Sequence, residues 1–265
     1  MPRIAVLHPG EMGSAVGAAL MDVGADVCWL PTGRSAATRV RAQEARIRPV
    51  DDLAGVDLVV SICPPAHALD VARSVAGFTG LFVDANAVSP ATAAQVEQVV
   101  TGGGAAYVDG GIIGPPPRDR GTTRLYLSGD RATEVAQVFH EALVEPVVVD
   151  GGPFSASATK MTYAAWSKIS AALLLSALET AKALDVDDVL RAEWEISQPE
   201  LAARLESAGR SATAKGWRWE AEMQEVARTF ADAGQPDGFG AAAAQVFAAY
   251  VRPTHAEPGN ELDVS

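Results

Sequence analysis

Short apolar runs alternate with stretches of helical spacing along residues 1–150. The runs are rich in β-branched residues and bounded by Gly, Pro or Asp, which predicts strands at 4–7, 27–30, 58–62, 81–83, 107–108, 125–127 and 147–149. The stretches between them predict helices at 12–23, 67–75, 90–100 and 133–143. Strands that are apolar on both faces and separated by helices form parallel sheets, so this part is predicted to be a doubly wound α/β domain.

The remainder of the chain has only helical patterning. Residues 155–184 contain no glycine or proline, which predicts one helix about 45 Å long. Further helical stretches follow, and no strand-like run occurs after Val149. The predicted organisation is a sheet domain over 1–152, an all-α substrate and dimerisation domain over 153–252 that begins with the long interdomain helix, and a flexible tail over 253–265.

A glycine-containing loop joins the first strand to the first helix. Gly10 has no β-carbon, so a pyrophosphate can approach the backbone, and Gly13 allows the helix to pack closely against the strand. The G-x-G-x-x-G pattern of a Rossmann domain is incomplete, because His8 stands at the first glycine, and a plain structural turn is the alternative. The position of the loop favours a dinucleotide phosphate site formed by His8, Pro9, Gly10, Glu11, Met12 and Gly13.

The end of the second strand favours NADP(H) over NAD(H). NAD-binding domains place an acidic residue here to bind the ribose 2′-hydroxyl, and residues 28–39 contain none. Two guanidinium groups and two hydroxyls, suited to a 2′-phosphate, stand there instead: Arg34, Ser35, Thr38 and Arg39. The alternative is an exposed basic start of a helix.

These motifs resemble those of the β-hydroxyacid dehydrogenase and imine reductase superfamily, which includes 6-phosphogluconate dehydrogenase. Its members carry a Gly-x-Gly-x-Met-Gly loop, similar to 8–13, and NADP-preferring members carry Asn-Arg-Ser/Thr, similar to 33–35. A cofactor-lining motif that ends in Ser-Pro is similar to 83–90, and a substrate-binding motif is similar to 109–114. The resemblance covers residues 1 to about 185 and implies an NADP(H)-dependent oxidoreductase.

The resemblance also implies site residues and shows departures from the family. It implies that Lys160 is catalytic and that substrate contacts come from Gly110, Gly111, Ile112, Ile113, Ala164 and Ser167. However, Ile113 replaces the family's serine, Ala164 replaces its asparagine, and residues 219–223 stand where a Lys-Asp pair is usual. Those missing groups orient a carboxylate in standard members, so a simple 3-hydroxyacid substrate is not expected.

Lys160 is the predicted proton donor and acceptor, because it lies one turn into a helix that begins beside the dinucleotide. Tyr163 is predicted to supply a hydroxyl, while Ala164, Ser167 and Lys168 lie on neighbouring faces of the helix. The alternative is an exposed lysine on a long helix.

Two further segments end predicted strands at the crevice where a dinucleotide binds. Cys63 and Pro64 are expected to line the adenosine or pyrophosphate side of this crevice. Asn86 and Ser89 either bind the nicotinamide ribose or cap the following helix, and the sequence leaves both interpretations open.

Composition excludes several other classes. The net charge of −12 argues against a nucleic-acid partner, and no apolar run of about 18 residues predicts a membrane span. The start of the chain lacks the layout of a signal peptide, so a cytoplasmic location is expected. The four histidines have no zinc-ligand spacing, so no metal is expected, and Cys28 and Cys63 are predicted to be small buried hydrophobic residues.

The leading hypothesis is hydride transfer between NADP(H) and a small carbonyl or hydroxy compound, with Lys160 as acid and base. Reduction of a C=N bond is the alternative reaction, because an iminium cation would tolerate acidic neighbours such as Glu220 or Glu222. A non-catalytic NADP(H)-binding protein is the third possibility. The resemblance also implies a homodimer that forms through the helical domain.

Overall fold

The computed structural model describes residues 2–251, so the tail predicted over 253–265 lies outside the described residues. The first part is a single eight-stranded sheet of order β3-β2-β1-β4-β5-β6-β7-β8. Its strands are β1 (Arg3–Leu7), β2 (Asp26–Trp29), β3 (Arg48–Pro49), β4 (Leu58–Ser61), β5 (Leu81–Asp84), β6 (Ala106–Ile113), β7 (Thr123–Ser128) and β8 (Val144–Val148).

Among the described residues, five α-helices connect or flank the strands, and six more follow the last strand. The first group is α1 (Glu11–Asp22), α2 (Ala36–Glu44), α3 (Ala68–Ser74), α4 (Pro90–Gly102) and α5 (Ala132–Phe139). The second group is α6 (Ser155–Ala164), α7 (Ser170–Ala183), α8 (Asp187–Ser197), α9 (Leu201–Lys215), α10 (Trp219–Asp232) and α11 (Gly238–Ala248).

Side chains alternate between the two faces of the sheet and divide the core accordingly. Val6 and Val60 pack with α1 and α5 on one face, whereas Leu7 and Phe82 pack with α3 and α4 on the other. A third apolar cluster, which includes Met161, Met223 and Phe247, holds α6, α10 and α11 together. The predicted class, a Rossmann sheet followed by an all-α part, is confirmed.

One strand departs from the predicted parallel arrangement. β7 is antiparallel to β6 and parallel to β8, whereas β1 to β6 pair with one another only in parallel. Nine residues, 114–122, separate β6 from β7 and contain no helix, and a parallel crossover needs a longer connection. The two-residue strand β3 and helix α2 were not predicted, because α2 buries only Ala42 and so has little apolar periodicity.

The long helix predicted over 155–184 is present as one continuous helical segment. It is α-helical in α6 and α7 and contains a π-helical turn, Ala165–Ile169, between them. A π turn inserts one residue into the helical repeat and is frequent at functional sites. Within residues 2–251, no helix is both long and apolar enough to cross a membrane.

Candidate functional site

The loop after β1 has the backbone that a phosphate site requires. His8, in place of the usual first glycine, adopts φ 63°, which is the left-handed conformation that glycine adopts most easily. Gly10 begins α1 as its N-cap residue and has no side chain to cap the helix. The first N–H groups of α1 have no partners within the helix, so they can bind an anion at this end.

Gly13 is required by the packing of this loop. A β-carbon at Gly13 would lie 2.6 Å from the carbonyl oxygen of His8, a backbone atom that cannot move away by itself. At Gly10, by contrast, the nearest atom to an added β-carbon is the same oxygen, at 3.9 Å. Gly13 therefore allows the loop to pack tightly against the start of α1, whereas Gly10 leaves open space on the surface of the loop.

The other loop residues have different surroundings. Pro9 is buried, and Met12 packs partly into the core between the sheet and α1. The carboxylate of Glu11 forms salt bridges with Arg218, at 3.2 Å, and with Lys215, at 3.5 Å. Since both partners belong to the helical part, Glu11 ties the phosphate loop to that part of the chain.

The basic residues predicted to bind a 2′-phosphate follow β2. The Arg34 guanidinium contacts Nε2 of His8, so it reaches back to the phosphate loop. Burial, followed by the positive charges of Arg34 and His67, lowers the pKa of His8 to about 4. His8 is therefore neutral near pH 7, and its Nδ1 and the Nε of Arg34 form no hydrogen bond within residues 2–251.

Ser35, Thr38 and Arg39 form the start of α2. Ser35 is the N-cap, its hydroxyl accepts a hydrogen bond from the Thr38 N–H at 3.2 Å, and the two hydroxyls lie 3.0 Å apart. Arg39 donates to the carbonyl of Pro31 at 2.9 Å. Because Ser35 caps α2, the alternative interpretation, a basic start of a helix, also holds. The exposed hydroxyls stand next to Arg34.

Asn86 links two loops at the edge of the sheet where β4 and β5 end. Its Oδ1 accepts from the Cys63 N–H at 2.6 Å, and its Nδ2 donates to Ser61 at 3.1 Å and to Asp84 at 2.6 Å. Each polar atom of this side chain has a hydrogen-bond partner. In this conformation, Asn86 therefore holds the loop that contains Cys63 and Pro64 in place.

Ser89 is the N-cap of α4, and its Oγ accepts from the Thr92 N–H at 3.2 Å. Of the two interpretations for this pair, the cap therefore holds for Ser89, and contact between Asn86 and the nicotinamide ribose stays a prediction. Burial, with a smaller contribution from Asp84, raises the pKa of the Cys63 thiol to about 12, so Cys63 is not a nucleophile.

A buried carboxylate holds the start of α6 against the sheet. Asp109 of β6 accepts hydrogen bonds from the N–H of Ser157 at 2.8 Å and from the hydroxyl of Ser128 at 2.9 Å. Gly111 allows α6 to approach, because a β-carbon there would lie 2.8 Å from Cβ of Lys160 and 2.9 Å from the carbonyl of Ala156. Strand β5 ends at Asp84, which pairs with Asp109 of β6. Gly111 lies two residues after Asp109, so it places Lys160 just beyond the carboxyl end of β5.

Lys160 belongs to a buried cluster of three charged groups, hereafter the lysine cluster: Lys160, Lys168 and Glu222. Oε1 of Glu222, from α10, lies 2.6 Å from Nζ of Lys168 and 3.5 Å from Nζ of Lys160. The side chains of the two lysines are 14% and 15% exposed, and that of Glu222 is 9% exposed. The alternative of an exposed surface lysine is therefore wrong for Lys160.

The two lysines determine how Glu222 ionises. Burial by itself raises the pKa of Glu222, but the charges of Lys160 and Lys168 outweigh burial and hold it below its ordinary value. Burial, together with the charge of Lys160, lowers the pKa of Lys168, against the attraction of Glu222. Lys168 also lies over the Trp219 ring, 5.6 Å from its centroid.

The other predicted catalytic and substrate residues do not join this cluster. Tyr163 is 51% exposed, and its hydroxyl forms no hydrogen bond within the described chain. Ser167 is exposed, and its hydroxyl donates to the carbonyls of Tyr163 and Ala164 on its own helix. No hydrogen bond joins either hydroxyl to the Lys160 amine among the described residues, so the assistance of Tyr163 and Ser167 to Lys160 stays a prediction.

The residues of the predicted substrate site contribute to packing around the site. Gly110 and Gly111 admit neighbouring backbone, Ile112 and Ile113 are buried, and Ala164 is fully buried in the helical core. Of these residues, Gly111 of β6 lies against Lys160. The described residues contain no group of three or more His, Cys, Asp or Glu side chains that could hold a metal ion.

Sequence reasoning missed the roles of Lys168 and Glu222. Helical spacing put Lys168 on a neighbouring face, but the π turn that brings it to Glu222 has no sequence signature. Glu222 lies 62 positions after Lys160, so only the packing of α10 on α6 brings the two together. The signal that could have indicated Glu222 was its apolar surroundings on α10, between Ala221 and Met223.

Comparisons with known proteins extend over most of the chain. Residues 181–250 match a family described as a domain of unknown function, DUF1932. The sequence matches none of the curated proteins with which it was compared. One similar solved structure is a conserved protein of unknown function, described as structurally similar to 3-hydroxyacid dehydrogenases. It is 24% identical, with a TM-score of 0.70, over 92% of this chain and 95% of that chain.

Two enzymes also have similar structures. The 3-hydroxyisobutyrate dehydrogenase of Mycobacterium tuberculosis, solved with L-serine, is 17% identical, with a TM-score of 0.71, over 94% of this chain and 93% of that chain. An imine reductase of Streptomyces aurantiacus is 19% identical, with a TM-score of 0.54, over 92% of this chain and 93% of that chain. At these identities, the likeness establishes a shared fold.

Proposed function

Since the chain has the fold of the β-hydroxyacid dehydrogenase and imine reductase superfamily, we propose that it is an NADP(H)-dependent oxidoreductase that acts on a small carbonyl or hydroxy compound. The observation that carries this proposal is the lysine cluster. A partly accessible amine, Nζ of Lys160, lies beside the carboxyl edge of the sheet, where dinucleotides bind in such folds.

The phosphate loop and the end of β2 suit NADP(H). The free N–H groups at the start of α1 and the open surface at Gly10 fit a pyrophosphate. Arg34 adds a positive charge beside that loop, and residues 28–39 contain no acidic residue that would compete with a 2′-phosphate. When bound, the nicotinamide supplies or accepts the hydride.

Lys160 then manages the proton. In the reducing direction, a hydride adds to the carbonyl carbon while Nζ of Lys160 gives a proton to the carbonyl oxygen, so the products are an alcohol and a neutral amine. In the oxidising direction, the neutral amine takes the hydroxyl proton as the hydride leaves the carbon. The amine must therefore exchange a proton in each turnover.

Charge favours a carbonyl over an iminium substrate. The expectation that Glu222 would stabilise an iminium cation loses its basis, because Glu222 is shared by two lysines and the cluster carries a net positive charge. Glu220, the other acidic candidate, is exposed. A cationic substrate beside this cluster would be repelled, whereas a carbonyl oxygen that gains negative charge would be stabilised.

NADPH oxidation with aldehydes, keto acids and cyclic imines is the experiment that tests this proposal. Consumption of NADPH with an aldehyde or keto acid is the expected result. Consumption with cyclic imines alone would support the alternative reaction. Tight NADPH binding without turnover on any compound would favour the third alternative, a non-catalytic NADP(H)-binding protein.

Arg34→Ala is expected to weaken NADPH binding about 10-fold to 100-fold, because a charge-assisted contact to the 2′-phosphate is lost. NADH binding should change little, because NADH has no such phosphate. Fluorescence titration with both cofactors measures the two Kd values. Arg46→Ala, at an exposed arginine beyond α2, is the control. An equal loss for NADPH and NADH would refute the assignment of Arg34.

We also propose that the chain forms a homodimer through its helical part. Helix α8 has no buried residue, although it carries Val189 and Ile196, which are 72% and 81% exposed, and Trp166 and Leu173 are also exposed. Exposed apolar residues on consecutive helices are typical of an interface. Light scattering is expected to give twice the monomer mass, and Ile196→Glu is expected to reduce it. A monomeric parent protein would refute the dimer.

A further inference from the structure

The lysine cluster contains one more cation than the reaction needs. A proton donor and its counter-ion would be complete with Lys160 and Glu222, yet Lys168 lies closer to Glu222 than Lys160 does, at 2.6 Å against 3.5 Å. Both lysines contact the same carboxylate oxygen. Burying a second ammonium group is costly unless it is paired, so the position of Lys168 requires an explanation.

The π turn is what aligns the two lysines. Residues eight apart in a regular α-helix differ by about 80° around the axis. One inserted residue in a π turn makes the effective separation about seven positions, or about 20° in the opposite sense. Lys160 precedes the turn Ala165–Ile169, and Lys168 lies within it, so the turn brings Lys168 toward the face that carries Lys160.

Glu222 would otherwise hold the Lys160 proton. A buried carboxylate paired with one lysine stabilises the charged amine and opposes loss of its proton. A second ammonium group opposes this effect in two ways, since it neutralises the carboxylate and repels the charge on Lys160. The two ammonium groups meet at one oxygen of Glu222, and burial, with the charge of Lys160 as a further cause, lowers the pKa of Lys168.

The acidic groups on the other elements around the cluster have partners of their own. The next acidic residue along the inner face of α10, Glu225, accepts hydrogen bonds from Ser89 at 2.8 Å and Thr92 at 2.7 Å of α4. The carboxylate of Asp109, on β6, accepts hydrogen bonds from Ser157 and Ser128. The same strand presents Gly111 to Lys160, and α10 presents the Trp219 ring to Lys168. Glu222 and Lys168 are therefore the charged groups that control Lys160.

We propose that Lys168 is a positioning residue that acts as the permanent counter-ion of Glu222, so that Lys160 is free to lose and regain its proton. In the reducing direction, the proton passes from Nζ of Lys160 to the carbonyl oxygen, and Glu222 remains ionised and paired with Lys168 throughout. The catalytic consequence rests on the proposed function, whereas the control of protonation is a property of the cluster alone.

The experiment measures how readily the Lys160 amine reacts at each pH. Trace acetylation of the full chain, quantified by mass spectrometry from pH 6 to 11, reports the unprotonated fraction of each lysine, because only the free amine reacts. In Lys168→Met, the midpoint for Lys160 is expected to rise by about one pH unit. In Glu222→Gln, it is expected to fall, because two lysines then face each other without a carboxylate. Lys168→Arg should restore the parent midpoint.

Lys182→Met is the matched control, because Lys182 lies on α7 and pairs with Glu179 at 2.7 Å but is exposed. It should leave the midpoint for Lys160 unchanged. An unchanged or lower midpoint in Lys168→Met would overturn the proposal, as would a rise in Glu222→Gln. If Lys168→Met does not fold, Lys168→Gln, which is also uncharged, takes its place with the same expected rise in the midpoint for Lys160.

The kinetic experiment separates this inference from the proposed function. If the parent protein turns over a carbonyl compound, the pH profile of kcat/KM in Lys168→Met should shift upward with the acetylation midpoint. Acetylation shifts without turnover in the parent would refute the proposed function and leave the control of protonation intact. Turnover with unchanged acetylation midpoints would refute the inference and leave the proposed function intact.

Discussion

Replacing Lys160 with methionine is expected to lower kcat for NADPH-dependent reduction by about 10²-fold to 10⁴-fold, the usual contribution of a positioned acid or base. Methionine keeps the length of the side chain and its packing on Gly111 but cannot donate a proton. The Kd for NADPH should change by less than about threefold, because the proposed phosphate contacts come from the loop after β1 and from Arg34. Stopped-flow absorbance and fluorescence titration measure the two quantities.

Two comparisons make this result specific to Lys160. Lys182→Met removes an exposed lysine from α7 and should leave kcat within about twofold of the parent. Lys160→Arg keeps a positive charge next to Glu222 but cannot release a proton near neutral pH, so it should be almost as inactive as Lys160→Met. Full activity of either Lys160 variant would remove this residue from the mechanism.

Gly13→Ala is expected to destabilise the protein by about 1–3 kcal/mol and to abolish NADPH binding. The added methyl group would lie 2.6 Å from the His8 carbonyl, so the loop and the start of α1 must separate. The free energy of unfolding in urea and a fluorescence titration report the two effects.

Gly10→Ala is the matched variant in the same loop. Its β-carbon would meet only the His8 carbonyl, at 3.9 Å, and Gly10 has φ −72°, which alanine adopts without strain. This variant should therefore keep most of its stability and still lose NADPH affinity, because the methyl group occupies the surface that the pyrophosphate approaches. Unchanged NADPH affinity in Gly10→Ala would show that the phosphates bind elsewhere.

Local patterns were sufficient for most of the sheet. The apolar runs at 4–7, 58–62 and 81–83 correspond to β1, β4 and β5, because central parallel strands are buried on both faces and must be apolar throughout. Helix α2 was missed for the opposite reason, since it is mostly exposed and buries only Ala42. The direction of β7 followed from the length of its connection to β6, which the pattern of apolar residues does not encode.

The candidate site also has parts that could be predicted from the sequence and parts that could not. The loop of residues 8–13 and the position of Lys160 could be identified from the sequence, because each depends on residues that are close together in the chain. The role expected for Ser167 assumed a regular helix, whereas Ser167 lies within the π turn. Tyr163 precedes this turn, and its side chain is 51% exposed. Asn86 does not cap α4 but joins the ends of β4 and β5, because its polar atoms bind Ser61, Cys63 and Asp84, which only the folded sheet brings together.

The sequence by itself determined the doubly wound sheet, the helical second part and the glycine-dependent turn at 8–13, because these depend on periodicity and on backbone conformations set by single residues. Only the tertiary structure decided that Lys160 shares a carboxylate with Lys168. That arrangement needs α10 to pack against α6 and a π turn to rotate one lysine toward the other. The energies of buried charges depend on neighbours that are distant in the chain, and only the completed fold brings those neighbours together.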